Sequence, residues 1–297
     1  MLRASFVPPP PIRQLRDLTR YRVDLLAVRT AGKQRVDKLL EDALIKLTAV
    51  VSDPFGASGR AIMAALIAGE RDPVVLANLA RGSLRSKTAR LAEALTGRFT
   101  DLHAFLLTQM LHRVDAVTAD IATVQARIEA QVGELAPAVA KLDAISGVGP
   151  VAAQILAEIG TDMTRFPTPA HLASWARFAP GVNESAGRPT GTAGSGKGNR
   201  YLARVLGEAA VSAARTDTFL GERYRRIARR RGKKRAIVAV GRSILVVIWA
   251  LLSDEQAQFI DLGPNYYASR NNLERKARHH IRELQALGYS ATLNPAA

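Results

Sequence analysis

The first residues that could do chemistry lie in one glycine-rich segment of the chain. Residues 180–199 read PGVNESAGRPTGTAGSGKGN, with six glycines and few bulky side chains. Long ordered loops inside a domain are usually functional. The segment and the residue after it carry four hydroxyl side chains and three cations, at Ser185, Thr190, Thr192 and Ser195 and at Arg188, Lys197 and Arg200.

These hydroxyls suit attack on a phosphate, or binding of one. A helix is predicted to begin near Asn199, and the amide groups of a helix N-terminus point at anions. A hydroxyl beside cations at that place could act as a nucleophile. A flexible solvated loop explains the composition slightly better when composition alone is weighed. A nucleotide-binding P-loop is excluded because glycine follows Lys197 where that motif needs Ser or Thr.

A second candidate is the Gly-Val-Gly hairpin at Gly147 and Gly149. It lies between two apolar helical patterns, which is typical of a helix-hairpin-helix. Glycine lets the backbone approach a phosphate closely, and the first turn of the second helix offers amide groups. An ordinary packing corner, with glycine required for steric reasons, remains the alternative.

The third candidate is a run of positive charge. Residues 223–235 contain nine basic side chains and no acidic one. Like charges at this density repel unless an anion neutralises them, and nucleic-acid phosphate is the commonest such anion. From these patterns we predict nucleic-acid contacts at Gly147, Gly149, Arg188, Lys197, Asn199, Arg200, Arg225, Arg226, Arg229, Arg230, Lys233 and Lys234.

The composition of the whole chain supports a polyanion as partner. The 297 residues include 42 Lys or Arg against 26 Asp or Glu, giving a formal charge of +16. A 47% share of hydrophobic residues is enough to build cores and excludes global disorder. The absence of cysteine excludes disulfides, thiolate metal sites and a cysteine nucleophile. No secretory signal opens the sequence, so a cytoplasmic, nucleoid-associated protein is expected.

The elements that must position these residues are predicted to be helical. We expect a mainly α fold, in which Leu107, Met110, Val114, Val117, Ile121, Val124 and Ile128 form a heptad seam. That seam fits a coiled coil, either within the chain as a helical hairpin or between two chains. Residues 236–252 are apolar, but Arg242 within them favours a buried core helix over a membrane span.

The predicted segments are a proline-rich leader (1–11), a helical region (12–100), a coiled coil (101–136), a C-terminal domain (137–264) and a basic tail (265–297).

The order of motifs resembles bacterial transposases of the insertion-sequence-110 type. The resemblance rests on the Gly-Val-Gly-Pro hairpin, on LASWARFAP at 172–180, on SGKGN at 195–199 and on the YLARVL that begins at Tyr201. It covers nearly the whole chain. It implies an RNA-guided recombinase in which a RuvC-type nuclease domain holds Mg²⁺ with four acidic residues. A C-terminal domain would supply a serine nucleophile.

Carried onto this sequence, the resemblance implies Ser195 as the catalytic nucleophile, followed by Lys197, Gly198 and Asn199. Gly196 stands where the family commonly has lysine, so Ser185 is the fallback. The resemblance also implies DNA, a guide (bridge) RNA and a homo-oligomer, a dimer or tetramer, as partners.

The acidic set of the family lies before the proline-rich leader, and Met1 to Val7 contain no Asp or Glu. We therefore expect an N-terminally truncated transposase that lacks the α/β nuclease domain, offers Mg²⁺ no ligands and does not cleave DNA alone. The alternative is a basic DNA- or RNA-binding protein without chemistry. A coiled-coil scaffold on an anionic membrane ranks last, because it leaves the 180–199 segment unexplained.

Overall fold

The computed structural model describes residues 8–179, 181–192, 198–269 and 273–290, and it divides the chain into two compact units. The N-terminal unit is Asp17–Ala130, and the C-terminal unit combines the residues before Asp17 with those after Ala130. Helices make up most of both units, and one short hairpin is the only β-structure among the described residues. The predicted mainly α fold is confirmed.

The N-terminal unit is built from short helices between two long ones. Its α-helices are α1 Pro10–Asp42, α2 Ala57–Ile67, α3 Pro73–Asn78, α4 Thr88–Ala94 and α5 Asp101–Val132, and 3-10 turns lie at Leu47–Ala49 and Gly82–Lys87. The long helices α1 and α5 each continue a short way beyond the unit. The carboxylate of Asp72 accepts a 2.8 Å hydrogen bond from the amide of Val74 and so caps α3.

The heptad residues of α5 differ in burial. One column is buried, at Leu107, Val114, Ile121 and Ile128, while Met110, Val117 and Val124 of the other column are half-buried. A Cβ atom added to Gly32 of α1 would lie 3.0 Å from Cγ2 of Val114. Helix α1 of the same chain therefore covers the seam at this point, as in the helical hairpin that the sequence left open. A coiled coil between chains stays a prediction.

The C-terminal unit carries the segments of chemical interest. Its elements are α6 Ala136–Asp143, α7 Ala152–Ile159, α8 Pro169–Trp175, β1 Val182–Ser185, β2 Arg188–Thr192, α9 Arg200–Ala213, α10 Phe219–Arg231, α11 Lys233–Ser253, α12 Tyr266–Ser269 and α13 Leu273–Ala286, with 3-10 turns at Gly133–Leu135 and Gly149–Val151.

Helix α11 lies at the centre of this unit and contacts α6, α8, α9 and α10. It buries one apolar face, formed by Ala236, Val240, Gly241, Ile244, Leu245, Ile248 and Leu251. A Cβ atom added to Gly241 would lie 2.5 Å from the Phe178 ring, so only glycine fits this contact. Among the described helices, α11 alone is long and apolar enough to cross a membrane by length and composition. Its buried face belongs to the core of the unit.

Candidate nucleic-acid site

The segment predicted as a loop contains a β-hairpin. Strands β1 and β2 pair antiparallel, with Ser185 opposite Arg188. Between them Ala186 and Gly187 have φ values of 52° and 74°, as a type I′ hairpin turn requires. The many glycines and small residues of this segment suggested a loop. Two of them, Ala186 and Gly187, form the turn between the two strands. Ser185 and Arg188 are both exposed beside the turn, where they can meet solvent or a ligand.

The predicted nucleophile Ser195 and its neighbour Lys197 lie outside the described residues, which resume at Gly198. A Cβ atom added to Gly198 would lie 2.8 Å from Cγ of Arg177. Only glycine allows the backbone to pass this close to the arginine. The exposed Arg177, which the sequence analysis did not select, therefore lies beside the chain where it leaves the predicted nucleophile segment.

Asn199 caps the helix that follows. Its side-chain oxygen accepts hydrogen bonds from the amides of Tyr201 and Leu202, at 3.0 and 3.2 Å. Its side-chain amide donates to Glu158 at 2.5 Å. The sequence predicted a nucleic-acid contact for Asn199, but the oxygen and the amide group of the side chain are both engaged within the protein. Asn199 thus fixes the start of α9.

Glu158 is a buried charged residue, with only 3% of its surface exposed. Its carboxylate lies 3.8 Å from the guanidinium of Arg16, which also donates to the backbone oxygens of Ala157 and Glu158, at 2.8 and 3.0 Å. A buried carboxylate is tolerated when it is paired and hydrogen-bonded. The network Arg16–Glu158–Asn199 therefore ties α1 and α7 to the residue that follows the nucleophile segment. Sequence reasoning found neither Arg16 nor Glu158, since their pairing joins distant parts of the chain.

The Gly-Val-Gly hairpin joins α6 to α7, and its two glycines differ. A Cβ atom on Gly147 would lie 2.5 Å from the carbonyl oxygen of Ala209 and 2.6 Å from the amide nitrogen of Ala213, both in α9. Its φ of +89° also favours glycine. The contacts of Gly147 thus support a packing role, and its predicted phosphate contact stays a prediction. At Gly149 the nearest atom would be 3.4 Å away, an ordinary contact, and its phosphate contact remains a prediction.

The basic run is divided between two faces of α10. Arg225 donates to the carbonyls of Ala214 and Thr216, at 3.3 and 2.9 Å, and its Nε lies 3.3 Å from Glu222. These contacts satisfy backbone oxygens just after α9 and give Arg225 an internal role, and the nucleic-acid contact predicted for it stays a prediction. Arg229 lies on the same side of α10, with its side chain 75% exposed and 4.0 Å from Glu222.

The other face of α10 meets Tyr267, a residue that the sequence analysis did not assign to the site. Arg223 donates to the Tyr267 hydroxyl at 2.8 Å, and the guanidinium of Arg226 lies 4.6 Å from the ring centroid. Arg226 and Arg230 are exposed, and both line a cleft of about 390 Å³ on this face. This face therefore concentrates positive charge at a concave surface.

Three further predicted cations are exposed. Lys233 and Lys234 begin α11 directly after Gly232, whose φ of +84° ends α10. Gly232 is therefore a single-residue break between α10 and α11. The guanidinium of Arg200 lies 4.7 Å from the Tyr201 ring centroid and donates to its hydroxyl at 2.7 Å.

The described residues do not fit the metal that the family resemblance implies. Among them, no group of three or more His, Asp or Glu side chains could share a metal ion. Asp162, whose pKa is lowered mainly by the Thr164 hydroxyl, stands in a turn of its own after α7.

Known proteins resemble part of this chain. Residues 139–225 match the family described as Transposase IS116/IS110/IS902 family, a stretch that runs from α6 into α10. A protein of the insertion element IS110 from Streptomyces coelicolor, of 43.6 kDa, is 34% identical over 132 residues. That alignment covers 43% of this chain and 32% of the relative, so the chain spans about a third of the protein that it resembles.

Proposed function

We propose that this chain acts in DNA transposition, cutting and rejoining strands through a serine nucleophile, because residues 139–225 match the family described as Transposase IS116/IS110/IS902 family. The nucleophile is Ser195, and Ser185 is the alternative register. DNA is the substrate. The resemblance adds a guide RNA and a homo-oligomer as further partners of the proposal.

The observation that carries this proposal is the anchoring of the chain directly after Ser195. Gly198 passes against Arg177, and Asn199 is fixed by α9 on one side and by Glu158 on the other. Catalysis needs the attacking group held near the reacting atom, and a fixed attachment reduces the freedom of a nucleophile. A solvated linker without function would not need a buried carboxylate and a helix cap at its end.

The chemistry is a transesterification. The Ser195 oxygen attacks the phosphorus of a phosphodiester, and the hydroxyl proton passes to solvent. The bond from phosphorus to the leaving strand oxygen breaks, and that oxygen takes up a proton. A hydroxyl of the joining strand later attacks the phosphoserine and releases the serine. Cations stabilise the negative charge that develops on the phosphate oxygens, and Arg177, Arg188 and Lys197 are the candidates.

None of these steps passes through magnesium, since the described residues include no group of three or more His, Asp or Glu side chains that could hold it. The negative charge that develops on the phosphate oxygens is stabilised by positive side chains of this chain.

A sulfur-containing substrate tests the nucleophile with this chain alone. In a DNA strand whose leaving oxygen is replaced by sulfur, the departing thiolate needs no proton because its thiol has a pKa of about 8.5. An unmodified strand, whose leaving oxygen needs a proton, should stay uncut by this chain alone, whereas the sulfur-containing strand should give a covalent protein–DNA adduct that survives denaturing electrophoresis. Ser195→Ala should abolish the adduct, and Ser185→Ala, the matched control, should retain it.

Retention of the adduct in Ser195→Ala and its loss in Ser185→Ala would move the nucleophile to the hairpin. Absence of an adduct in the unmodified chain, with tight DNA binding, would overturn the catalytic proposal and favour the non-catalytic nucleic-acid-binding protein.

A further inference from the structure

The basic run of α10 places a set of side chains on one face of the helix. The basic side chains of α10 fall into two groups. Arg225 and Arg229 lie one turn apart on one side of the helix. The side that meets Tyr267 carries Arg223, Arg226, Ile227, Arg230 and Arg231. All five line the cleft of about 390 Å³, together with Tyr267. Four guanidinium groups and no acidic side chain therefore line one concave surface.

Tyr267 is held rigidly in the wall of this cleft. Its ring stacks on Phe219, with 5.4 Å between the centroids and an interplanar angle of 21°. The guanidinium of Arg226 lies 4.6 Å from the ring centroid, and the hydroxyl accepts from Arg223 at 2.8 Å. The aromatic residue thus orients two of the arginines before any ligand binds, which lowers the entropy cost of binding.

Arg223 has a donor that is left unused among the described residues. Its Nε is buried from solvent and has no hydrogen-bond partner there. A buried donor without a partner costs stability unless an acceptor reaches it when a ligand binds. Guanidinium groups match phosphate oxygens in bidentate geometry, so an anionic oxygen is the partner that this group fits best.

We propose that this cleft binds one unpaired nucleotide of a single nucleic-acid strand. The phosphate lies against the guanidiniums of Arg223, Arg230 and Arg231, and the sugar and base lie over Ile227 and the plane of Arg226. This inference rests on the proposed function only in taking nucleic acid as the partner, and it requires no cleavage.

The shape of the cleft favours an unpaired nucleotide over a duplex. Its volume of about 390 Å³ is near the lower end for pockets that hold small ligands. A duplex keeps its bases stacked inside, and its phosphates can meet a basic surface that has no apolar wall. Single strands are bound by cationic grooves with planar groups on which bases stack, and arginine planes serve this purpose.

Binding of labelled oligonucleotides tests the proposal. Arg226→Ala and Arg230→Ala remove cleft residues, whereas Arg229→Ala removes the same charge from an exposed side chain of α10 that does not line the cleft. We expect each cleft variant to weaken binding of a single strand by about tenfold, because Arg230→Ala loses a charge-assisted hydrogen bond to the phosphate and Arg226→Ala loses the plane on which the base stacks. The Arg229→Ala loss should be smaller, and binding of the matched duplex should change equally in all three variants. Fluorescence anisotropy measures the affinities, and circular dichroism verifies that each variant is folded.

The dependence on salt gives a second measurement. Each phosphate of a single strand that a variant no longer binds should reduce the slope of log K against log salt by about 0.7. Strands with and without a 5′ phosphate distinguish a terminal phosphate from an internal phosphodiester. Tyr267→Phe, which removes only the hydroxyl, should weaken single-strand binding in a folded protein.

Equal losses for the cleft variants and Arg229→Ala on the single strand would overturn the proposal, as would losses on the duplex as large as those on the single strand. The serine adduct is formed independently of these variants, so the two proposals can fail separately.

Discussion

The side-chain amide of Asn199 donates a hydrogen bond to the buried carboxylate of Glu158, a residue 41 positions earlier in the chain. The oxygen of the same Asn199 side chain caps α9. One residue thus joins α7 to the start of α9 directly after the predicted nucleophile segment. The position of that segment's end depends on this pair.

Asn199→Ala should lower the free energy of unfolding by about 2 kcal/mol. The helix cap contributes about 1 kcal/mol, and the loss of a donor to a buried carboxylate adds a similar amount.

Asn199→Asp keeps the capping oxygen but places a second carboxylate against Glu158, so it should also destabilise the protein. Glu158→Gln should partly rescue Asn199→Asp, because a neutral amide removes the repulsion. Urea unfolding measures all three effects, and equal stability of Asn199→Ala and the unmodified chain would contradict the capping role.

Gly147→Ala should destabilise the C-terminal unit by about 2–4 kcal/mol. The added Cβ would meet the backbone of α9 at 2.5 Å, and the positive φ penalises any side chain. Gly149→Ala is the matched control, two positions away with no contact under 3.4 Å, and should change stability by less than about 1 kcal/mol. Urea unfolding of the two variants compares them, and similar losses would show that the packing against α9 is not what requires glycine.

Arg225→Ala should lower stability by about 1–2 kcal/mol, because two backbone carbonyls after α9 lose their donor. Arg229→Ala removes the same charge from a side chain that is 75% exposed, and it should change stability by less than about 0.5 kcal/mol. Thermal unfolding at one salt concentration measures the difference. A larger effect at Arg229 than at Arg225 would contradict the internal role of Arg225.

Thr164→Val should raise the pKa of Asp162. The Thr164 hydroxyl donates to the Asp162 carboxylate at 2.6 Å and is the main cause of its lowered pKa, followed by the Thr164 amide at 3.0 Å. A carboxyl with a lowered folded pKa stabilises the protein above its unfolded pKa of about 3.9, and this stabilisation is lost as the pH falls through the folded pKa. The variant should therefore lose less stability on acidification, and NMR titration of the carboxyl measures the pKa. An unchanged pKa would contradict the role of the hydroxyl.

Local patterns in the sequence were sufficient to predict the helices. The apolar run at 236–252 became part of the core helix α11, as predicted. The hairpin at Val182–Thr192 was not predicted, because small residues without alternation carry little signal for a strand. Its turn at Ala186 and Gly187 depends on positive φ values, for which the one glycine of the pair is a weak sequence signal.

The roles of individual polar residues depended on contacts between distant parts of the chain. Helical spacing separates Arg225 from Arg226, but no local pattern tells which face of α10 packs against the protein. Asn199 and Gly147 looked like nucleic-acid contacts because their types suit phosphate. Their partners, Glu158 and Ala213, could be identified only once the chain was folded.

The most direct test of the central claim is to map the residue that becomes attached to DNA. The protein is trapped on the sulfur-containing strand and digested with protease and nuclease, and the modified peptide is sequenced by mass spectrometry. We predict a single nucleotide adduct on Ser195, located by fragmentation of the peptide 178–197, which contains both Ser185 and Ser195. An adduct on Ser185 or on a threonine of the same segment, or a modified residue elsewhere in the chain, would contradict the claim that Ser195 is the nucleophile.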